Sequence, residues 1–313
     1  MNETRRAVLE ALAEGPVAGP ELADALGISR AAIWKHVDAL RKAGFTIESG
    51  ADGYRLAAVD DVTGPTIEYG LDAPFTIEYH ESIDSTNARA RALAGHGATD
   101  VVVLADEQTG GRGRLDREWS SPAGGVWLSV ICRPPLPPAR APLYTLAAAV
   151  ATARTAREAG VDAQIKWPND VVVPADTDRG YRKLAGILTE MEGETDRVSW
   201  IVCGIGVNAN LDADQLPAGG TSIREEADEV DRRTFVQRLL ESFDVQRRAL
   251  DDVVDAWRDL ALTLDRRVRV DRPDGEVVGR AVDVTPTGGL VVETDDGIRR
   301  ELTVGDCEHL RPA

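Results

Sequence analysis

One glycine- and arginine-rich segment holds the residues best suited to chemistry: Glu107–Trp119, with the sequence EQTGGRGRLDREW. Its three glycines allow the backbone to turn sharply and to approach a ligand closely. Arg112 and Arg114 add planar guanidinium groups, whose geometry suits phosphate and carboxylate. A single Gly-Arg-Gly is more often a solvated surface loop, but this combination predicts an anion-binding loop.

Lysine is scarce in this chain and occurs only at Lys35, Lys42, Lys166 and Lys183, while Asp and Glu number 53 and the formal net charge is -17. This balance resembles that of proteins adapted to high intracellular salt, so the acidity concerns solubility rather than substrate. Spread evenly, such a charge would repel nucleic acid, and DNA binding therefore depends on local charge. Each remaining lysine is a functional candidate, although a solvated surface residue is the common alternative.

Several kinds of site and segment are not expected. Cys132, Cys203 and Cys307 are far apart and lack metal-ligand spacing, which argues against a disulfide framework or a zinc site. The chain has no GxxxxGK[ST] motif, so ATP would not be held by a P-loop. No run approaches the roughly 18 apolar residues of a membrane helix, and the first residues indicate an amphipathic helix. We therefore expect a cytoplasmic protein with no membrane partner.

The elements before residue 63 predict a winged helix-turn-helix domain over residues 1–62, with the helix-turn-helix at about 19–38. Apolar residues at helical spacing predict two short helices and a third helix, for which Ser29 is a suitable N-cap. Two β-prone runs flank the turn at 50–53 and predict a hairpin wing.

The third helix holds the candidate DNA-binding residues, because its start enters the major groove in this motif. They are Ser29, Arg30, Trp34, Lys35 and His36, with Arg55 on the wing. Residues 1–60 contain seven basic and nine acidic side chains. Binding therefore requires positive charge to concentrate on this face, helped by dimerisation or by salt screening. The same helical pattern also occurs in domains that never touch DNA.

Residues 63–262 predict a central α+β domain. Its sheet should be mixed and largely antiparallel, because several strands follow one another without a crossover helix. The strand-like runs are FTIEYHE, VVVLADEQ, VWLSVIC, IKW, DVVV, KLAGILTEM and VSWIVCGIGVN. Helices are predicted over 86–94, 143–159 and 234–260.

Residues 263–313 predict a small SH3-like β-barrel. The strand-like runs RVRVD, EVVGRAVDVT, LVVETD and IRRELTV are separated by turns that contain Pro-Asp-Gly, Thr-Gly-Gly and Asp-Asp-Gly. The chain as a whole is therefore expected to be an α+β multidomain protein.

Five ordered motifs resemble those of the biotin–protein ligase family. They are SIDSTN at 82–87, GGRGR at 110–114 followed by Trp119, KWPND at 166–170, KLAGIL at 183–188 and GIGVN at 204–208. With the helix-turn-helix in front and the barrel behind, the resemblance covers nearly the whole chain. It is similar to bifunctional members that also repress transcription.

The resemblance implies a biotin pocket and a reacting centre. Its biotin-binding positions are Ser85, Thr86, Asn87, Gln108, Arg112, Gly113, Arg114 and Lys183. Gln108 and Thr86 match residues that bond the ureido ring. Arg112, Gly113 and Arg114 match the loop that closes over the biotin carboxylate and the nucleotide phosphate. Lys183 matches the lysine at the reacting carboxylate and α-phosphate.

The resemblance also implies nucleotide-binding elements at Trp119, Trp127, Lys166, Asn169 and Asn208. We assign catalytic roles to Lys183, Arg112, Arg114 and Asn169. Simpler explanations stand beside these roles: the tryptophans suit a core, Asn208 suits a turn, and Ser85 or Thr86 suits a helix N-cap. One departure falls at Leu115-Asp116, where many members have an Arg-Gly pair.

The implied function is ATP-dependent biotin–protein ligation with Mg²⁺. Biotinyl-5'-adenylate forms first, and the biotinyl group then passes to a lysine of a biotin carboxyl carrier protein or acyl-CoA carboxylase subunit. A homodimer that binds operator DNA is the implied regulatory form. A lipoate–protein ligase and a non-catalytic, biotin-sensing transcription regulator are the alternatives.

Overall fold

The computed structural model describes residues 1–59 and 62–310, and the chain forms two units. The first comprises Met1–Asp72 with Arg232–Gln237, and the second comprises Ala73–Asp231 with the chain from Arg238 onward. Among the described residues, no helix is long and apolar enough to span a bilayer.

The first unit contains the predicted helix-turn-helix and its hairpin wing. Its elements are α1 Glu3–Ala13, α2 Gly19–Leu26, α3 Arg30–Lys42, β1 Phe45–Gly50, β2 Gly53–Val59 and α4 Gly64–Glu68. The Ser29 hydroxyl accepts from Ala32 N and caps α3, as the sequence predicts. Gly27 ends α2 at φ 65°, a left-handed conformation that glycine adopts without strain. The core between the helices includes Leu9, Ile33 and Val37.

The first unit continues to Asp72, ten residues past the boundary expected at residue 62. Ile67 of α4 is fully buried, and Thr63 Oγ1 donates to the carbonyl oxygen of Ala43. Gln237 Nε2 donates to the carbonyl oxygens of Ile67 and Tyr69. These bonds tie the segment after the wing to the first unit.

The second unit is built on a seven-stranded sheet, which is mixed and largely antiparallel as predicted. Its strands are β3 Thr76–Ile83, β4 Val101–Gln108, β5 Val126–Cys132, β6 Gln164–Lys166, β7 Asp170–Pro174, β8 Tyr181–Gly193 and β9 Val198–Val207. Their order is β3-β4-β5-β9-β8-β7-β6, and only β3 and β4 pair in parallel. The candidate site lies on this sheet and includes residues of β4, β8 and β9.

The helices of this part of the chain are α5 Thr86–Gly95, α6 Pro142–Glu158, α7 Ile223–Glu226, α8 Arg232–Arg248 and α9 Val253–Arg258. The single helix predicted over 234–260 is wrong, because the chain leaves the helix between α8 and α9. Ala249 N and Asp252 N bond to carbonyls three residues back, as in a tight turn. Asp251 and Asp252 favour such turns over a helix interior.

The C-terminal strands form one five-stranded antiparallel sheet. They are β10 Arg267–Arg272, β11 Gly275–Val284, β12 Leu290–Thr294, β13 Arg299–Leu302 and β14 Asp306–His309, in the order β13-β12-β11-β10-β14. β14 was not predicted, because GDCEH lacks the β-branched residues that mark the other strands.

Candidate functional site

A cavity of about 410 Å³ opens on the seven-stranded sheet between the glycine-arginine loop, the start of α5 and strands β8 and β9. Ten of the thirteen residues predicted for biotin, nucleotide or catalysis line it: Ser85, Thr86, Asn87, Gln108, Arg112, Gly113, Arg114, Trp119, Asn169 and Lys183. Residues spread over a hundred positions of sequence are thereby brought to one site.

The end of the cavity at α5 is a polar pocket. Thr86 donates to Gln108 Oε1 through its backbone N at 2.8 Å and its hydroxyl at 3.0 Å. Gln108 Nε2 donates to Ser121 Oγ at 2.9 Å. Ser85 caps α5 by accepting from Ala88 N, so its capping role is present beside its place in the lining. The amide of Gln108 can both donate and accept, which suits a ureido group.

The side chain of Asn87 packs directly against Gly204 of β9. Its amide nitrogen donates to the Leu188 carbonyl and to Glu190 Oε2, and its Oδ1 lies 2.6 Å from the buried Ser129 hydroxyl. A Cβ placed on Gly204 would come within 2.2 Å of Asn87 Oδ1. The first glycine of GIGVN is therefore required by side-chain packing at the cavity wall.

Trp119 covers the floor of the cavity. Its indole packs on Gly186 of β8 and Gly206 of β9, which are direct register partners. A Cβ on Gly206 would lie 2.7 Å from Trp119 Nε1, and one on Gly186 would lie 3.2 Å from the ring. Trp119 Nε1 is buried without a hydrogen-bond partner in the described part of the chain. An indole with an unused donor at a cavity wall is suited to contact a bound ligand.

A partly buried charge cluster lies at the other end of the cavity. Asp170 Oδ1 lies 2.6 Å from Lys183 Nζ, and Asp170 Oδ2 lies 3.5 Å from Lys166 Nζ. Burial favours the neutral acid, but the two ammonium groups outweigh it and hold the pKa of Asp170 below its usual value. Burial likewise opposes charge on Lys166, yet Asp170 raises the pKa of this lysine. Asp170 and Lys166 are therefore both charged near neutral pH.

An irregularity in β8 brings Lys183 into the cavity. Residues 183 and 186 are an odd number apart and would face opposite sides of a regular strand. The pairing of β7 with β8 slips by one residue here, because Val171 pairs with Ala185 while Val172 pairs with Lys183. This extra residue brings Lys183 and Gly186 to the same side of the strand. Lys183 Cε accordingly lies 3.4 Å from the position that a Cβ on Gly186 would occupy.

Close backbone packing and the side chain of Arg114 hold the glycine-arginine loop. A Cβ on Gly110 would meet Asp84, and one on Gly111 would meet the Trp119 carbonyl, so both glycines are needed for close approach. Arg114 donates to Asn169 Oδ1 and to the Gly305 carbonyl.

Two residues of this loop adopt an unusual backbone conformation. Leu115 and Asp116 have φ of 56° and 55°, in the left-handed region that favours glycine. At this position the chain has Leu-Asp where many members of the family that it resembles have an Arg-Gly pair.

The cavity is locally positive although the chain is strongly acidic. Five cationic side chains line it, namely Arg112, Arg114, Arg117, Arg179 and Lys183, against the three carboxylates Glu118, Asp170 and Asp306. Such an excess inside a chain with a net charge of -17 is suited to an anionic ligand.

Three predicted residues lie outside the cavity lining. Trp127 is fully buried in the core and donates its indole N–H to the Pro122 carbonyl, and Asn208 is buried with its amide donated to the Thr221 carbonyl. Lys166 is buried behind Asp170. All three residues are buried outside the lining of this cavity, and their contact with the nucleotide stays a prediction. Trp167 is also a core residue.

Asp170 and Arg179 line the cavity, although no role is predicted for them from the sequence. Asp170 stands inside the KWPND motif, so its place in the motif was the available signal. Arg179 lies outside all five motifs, and nothing in the sequence distinguishes it from other arginines.

The first unit presents the candidate DNA-binding face separately. Arg30, Trp34 and Lys35 are exposed on α3, with Trp34 58% exposed, and His36 is half-buried. Ser29 acts as the helix cap. Arg55 on the wing is paired with Glu48 at 2.7 Å, which offsets its charge. Arg30 and Lys35 are therefore the stronger candidates for phosphate or base contacts.

Three family models match separate segments of this chain. The model described as the biotin/lipoate A/B protein ligase family matches residues 79–208. The biotin protein ligase C terminal domain matches residues 263–310, and a helix-turn-helix (HTH) domain matches residues 4–55.

Similar proteins match along most of the chain. The bifunctional ligase/repressor BirA of Bacillus subtilis is 36% identical over 302 residues, which cover 91% of each chain. That of Escherichia coli is 30% identical over 294 residues, covering 90% of this chain and 89% of the relative. A biotin protein ligase from Aquifex aeolicus, solved with biotin and ATP, superposes with a TM-score of 0.62 at 23% identity over 75% of this chain and 99% of its own. This last likeness shows the fold.

Proposed function

Because this chain belongs to the biotin–protein ligase family, we propose that its cavity joins biotin to ATP and passes the biotinyl group to a carrier-protein lysine. The chain is an ATP-dependent biotin–protein ligase that also has a DNA-binding repressor domain. The observation that carries the assignment of the site is the locally positive cavity, in which ten predicted residues meet.

In the first step, a biotin carboxylate oxygen attacks the α-phosphorus of ATP. A new P–O bond forms, the bond to the β-phosphate bridging oxygen breaks, and pyrophosphate leaves with the electron pair. Two anions must approach each other, so cations at the reacting centre lower the barrier. Arg112 and Lys183, which both line the cavity, supply this charge, while Thr86 and Gln108 hold the ureido ring.

Mg²⁺ suits this site as a companion of the nucleotide. In proteins it usually binds through one or two carboxylates together with substrate phosphates and water. Among residues 1–59 and 62–310, no group of three or more His, Cys, Asp or Glu is placed to hold a metal. Asp170 and Asn169 line the cavity and would offer side-chain oxygens to Mg²⁺, which would neutralise phosphate charge there.

In the second step, a neutral carrier lysine attacks the anhydride carbonyl, an amide forms, and AMP leaves. The adenylate must be shielded from water between the two steps. The loop from Gly110 to Trp119 suits this task, because Trp119 already packs over the floor and Arg114 ties the loop to Asn169.

Incubation with labelled biotin separates the candidate functions. A ligase forms an acid-labile biotinyl-adenylate only when ATP is present, and unlabelled lipoate leaves the yield unchanged. Loss of labelled adenylate with excess lipoate indicates a lipoate–protein ligase. Biotin binding without adenylate formation indicates a non-catalytic regulator.

The repressor activity is proposed to use a homodimer. Two copies of α3 in a two-fold dimer would read an operator with matching symmetry, and exposed Arg30 and Lys35 support this role. Adenylate that orders the glycine-arginine loop would favour the dimer. Sedimentation with and without biotin plus ATP checks this, and equal dimer fractions in the two conditions remove the proposed switch.

A further inference from the structure

Arg179 is a cavity residue that none of the five motifs includes. It belongs to the segment 175–180 between β7 and β8, and its side chain is exposed at the cavity. Its Nη1 lies 3.8 Å from the point that a Cβ of Gly219 would occupy. The Gly219 carbonyl in turn accepts from Lys183 N. Arg179 therefore stands beside the backbone that flanks the reacting lysine.

The cationic side chains of the cavity differ in whether they have a carboxylate partner. Lys183 is paired with Asp170, and Arg117 is paired with Asp306. Arg114 donates to the neutral oxygens of Asn169 and Gly305. Within residues 1–59 and 62–310, neither Arg112 nor Arg179 has a carboxylate partner. Because Arg112 is predicted to bind the biotin carboxylate, the guanidinium group of Arg179 is available to a second anion.

The residues of β8 that contact Asn87 and Trp119 show the order in which the side chains follow one another along the cavity. Asn87 bonds to Leu188 at one end, Trp119 packs on Gly186, and Lys183 comes next. β8 begins at Tyr181, and Arg179 lies two residues before it. Arg179 thus lies beyond Lys183, on the side away from the ureido pocket.

We propose that Arg179 binds the β- and γ-phosphates of ATP and holds the pyrophosphate that leaves. In-line displacement places the leaving group opposite the attacking carboxylate. An anion on the far side of Lys183 from the biotin pocket is therefore the pyrophosphate end of the nucleotide. This inference rests on the proposed ligase function, which supplies the two substrates.

The proposal predicts that loss of Arg179 affects only the step that involves pyrophosphate. A hydrogen bond to a charged group contributes a factor of roughly 10 to 100 in binding or rate. Arg179→Gln should lower kcat/KM for pyrophosphate by about that factor. Arg179→Lys should recover part of the loss, because it keeps the charge without the bidentate fork.

The test supplies each variant with preformed biotinyl-5'-adenylate and measures its reaction with each of two acceptors. Inorganic pyrophosphate regenerates ATP and biotin, while a biotin carrier domain takes the biotinyl group. Arg154→Gln is the matched control, because Arg154 is an exposed arginine of α6 outside the cavity lining. Circular dichroism checks that each variant is folded.

We expect Arg179→Gln to slow pyrophosphorolysis and to leave carrier transfer within about twofold of wild type, with Arg154→Gln normal in both directions. An unchanged pyrophosphate rate overturns the proposal. So does a selective loss of carrier transfer, which would mean that Arg179 contacts the carrier protein. A wild-type protein that uses the adenylate in neither direction removes the proposed function and this inference together.

Discussion

Replacing Lys183 by alanine should slow adenylation far more than it weakens biotin binding. Lys183 Nζ lies 2.6 Å from Asp170 Oδ1 and 4.9 Å from the centre of the Trp119 ring. The ureido pocket around Thr86 and Gln108 is formed by other elements. Removal of the ammonium therefore takes charge from the reacting centre and leaves the ring pocket intact.

The expected loss of rate is about 10² to 10³, which is the typical effect of removing one preorganised partner of a developing charge. Lys183→Arg should restore only part, because the planar fork places its charge at a different point.

The same change should also alter the stability of the fold. Breaking a buried ion pair typically costs about 3 to 5 kcal/mol, and the cost should fall below that range because Lys166 stays 3.5 Å from Asp170. The low pKa of Asp170 contributes stability above the unfolded carboxyl pKa, and this contribution is lost as pH falls through the folded pKa. Without Lys183 the folded pKa rises, so the stability deficit is largest near neutral pH and shrinks in acid.

Pre-steady-state adenylate formation, biotin titration and urea unfolding measured against pH on the same variant check these expectations. Lys42→Ala is the control, because the Lys42–Asp38 pair is a solvent-exposed ion pair for which less than about 0.5 kcal/mol is expected. A normal adenylation rate with weakened biotin binding would mean that Lys183 anchors the substrate, and the catalytic assignment would be wrong.

Three further predictions concern the other elements. Deletion of residues 1–62 should abolish operator binding and keep adenylation, because all the residues that line the cavity belong to the second unit; loss of both activities in a folded truncation counts against this. Arg30→Ala with Lys35→Ala should weaken binding to a duplex selected by the wild-type protein and flatten its salt dependence, and unchanged anisotropy titrations would refute the α3 contact. Asp116→Gly should relieve about 1 kcal/mol of left-handed backbone cost and slow hydrogen exchange in the loop, whereas faster exchange contradicts the strain argument.

The spacing of apolar residues, together with turn-forming and capping residues, was enough to predict most helices and strands. β4 has the bounds of the VVVLADEQ run, and α3 begins after the Ser29 cap. The five motifs converge on one cavity, because loops and strand ends bring short polar segments together while apolar runs fill the sheet. These are features that a local pattern determines.

Features that depend on packing between distant segments could not be predicted. The register slip in β8 decides that Lys183 faces the cavity, and no residue in KLAGIL marks it. Trp119 and Trp127 look alike in sequence, yet Trp119 packs on Gly186 and Gly206 at the cavity, whereas Trp127 is buried in the core. Asp170 acquires its role only when two lysines from different strands meet it.

Biotin-dependent exchange of labelled pyrophosphate into ATP is the most direct test of the central claim, that this cavity activates biotin as an adenylate. We predict exchange that requires biotin, is not supported by lipoate, persists when residues 1–62 are deleted and falls by about 10² to 10³ in Lys183→Ala. Exchange that proceeds without biotin, or that is unaffected by Lys183→Ala, would contradict the account.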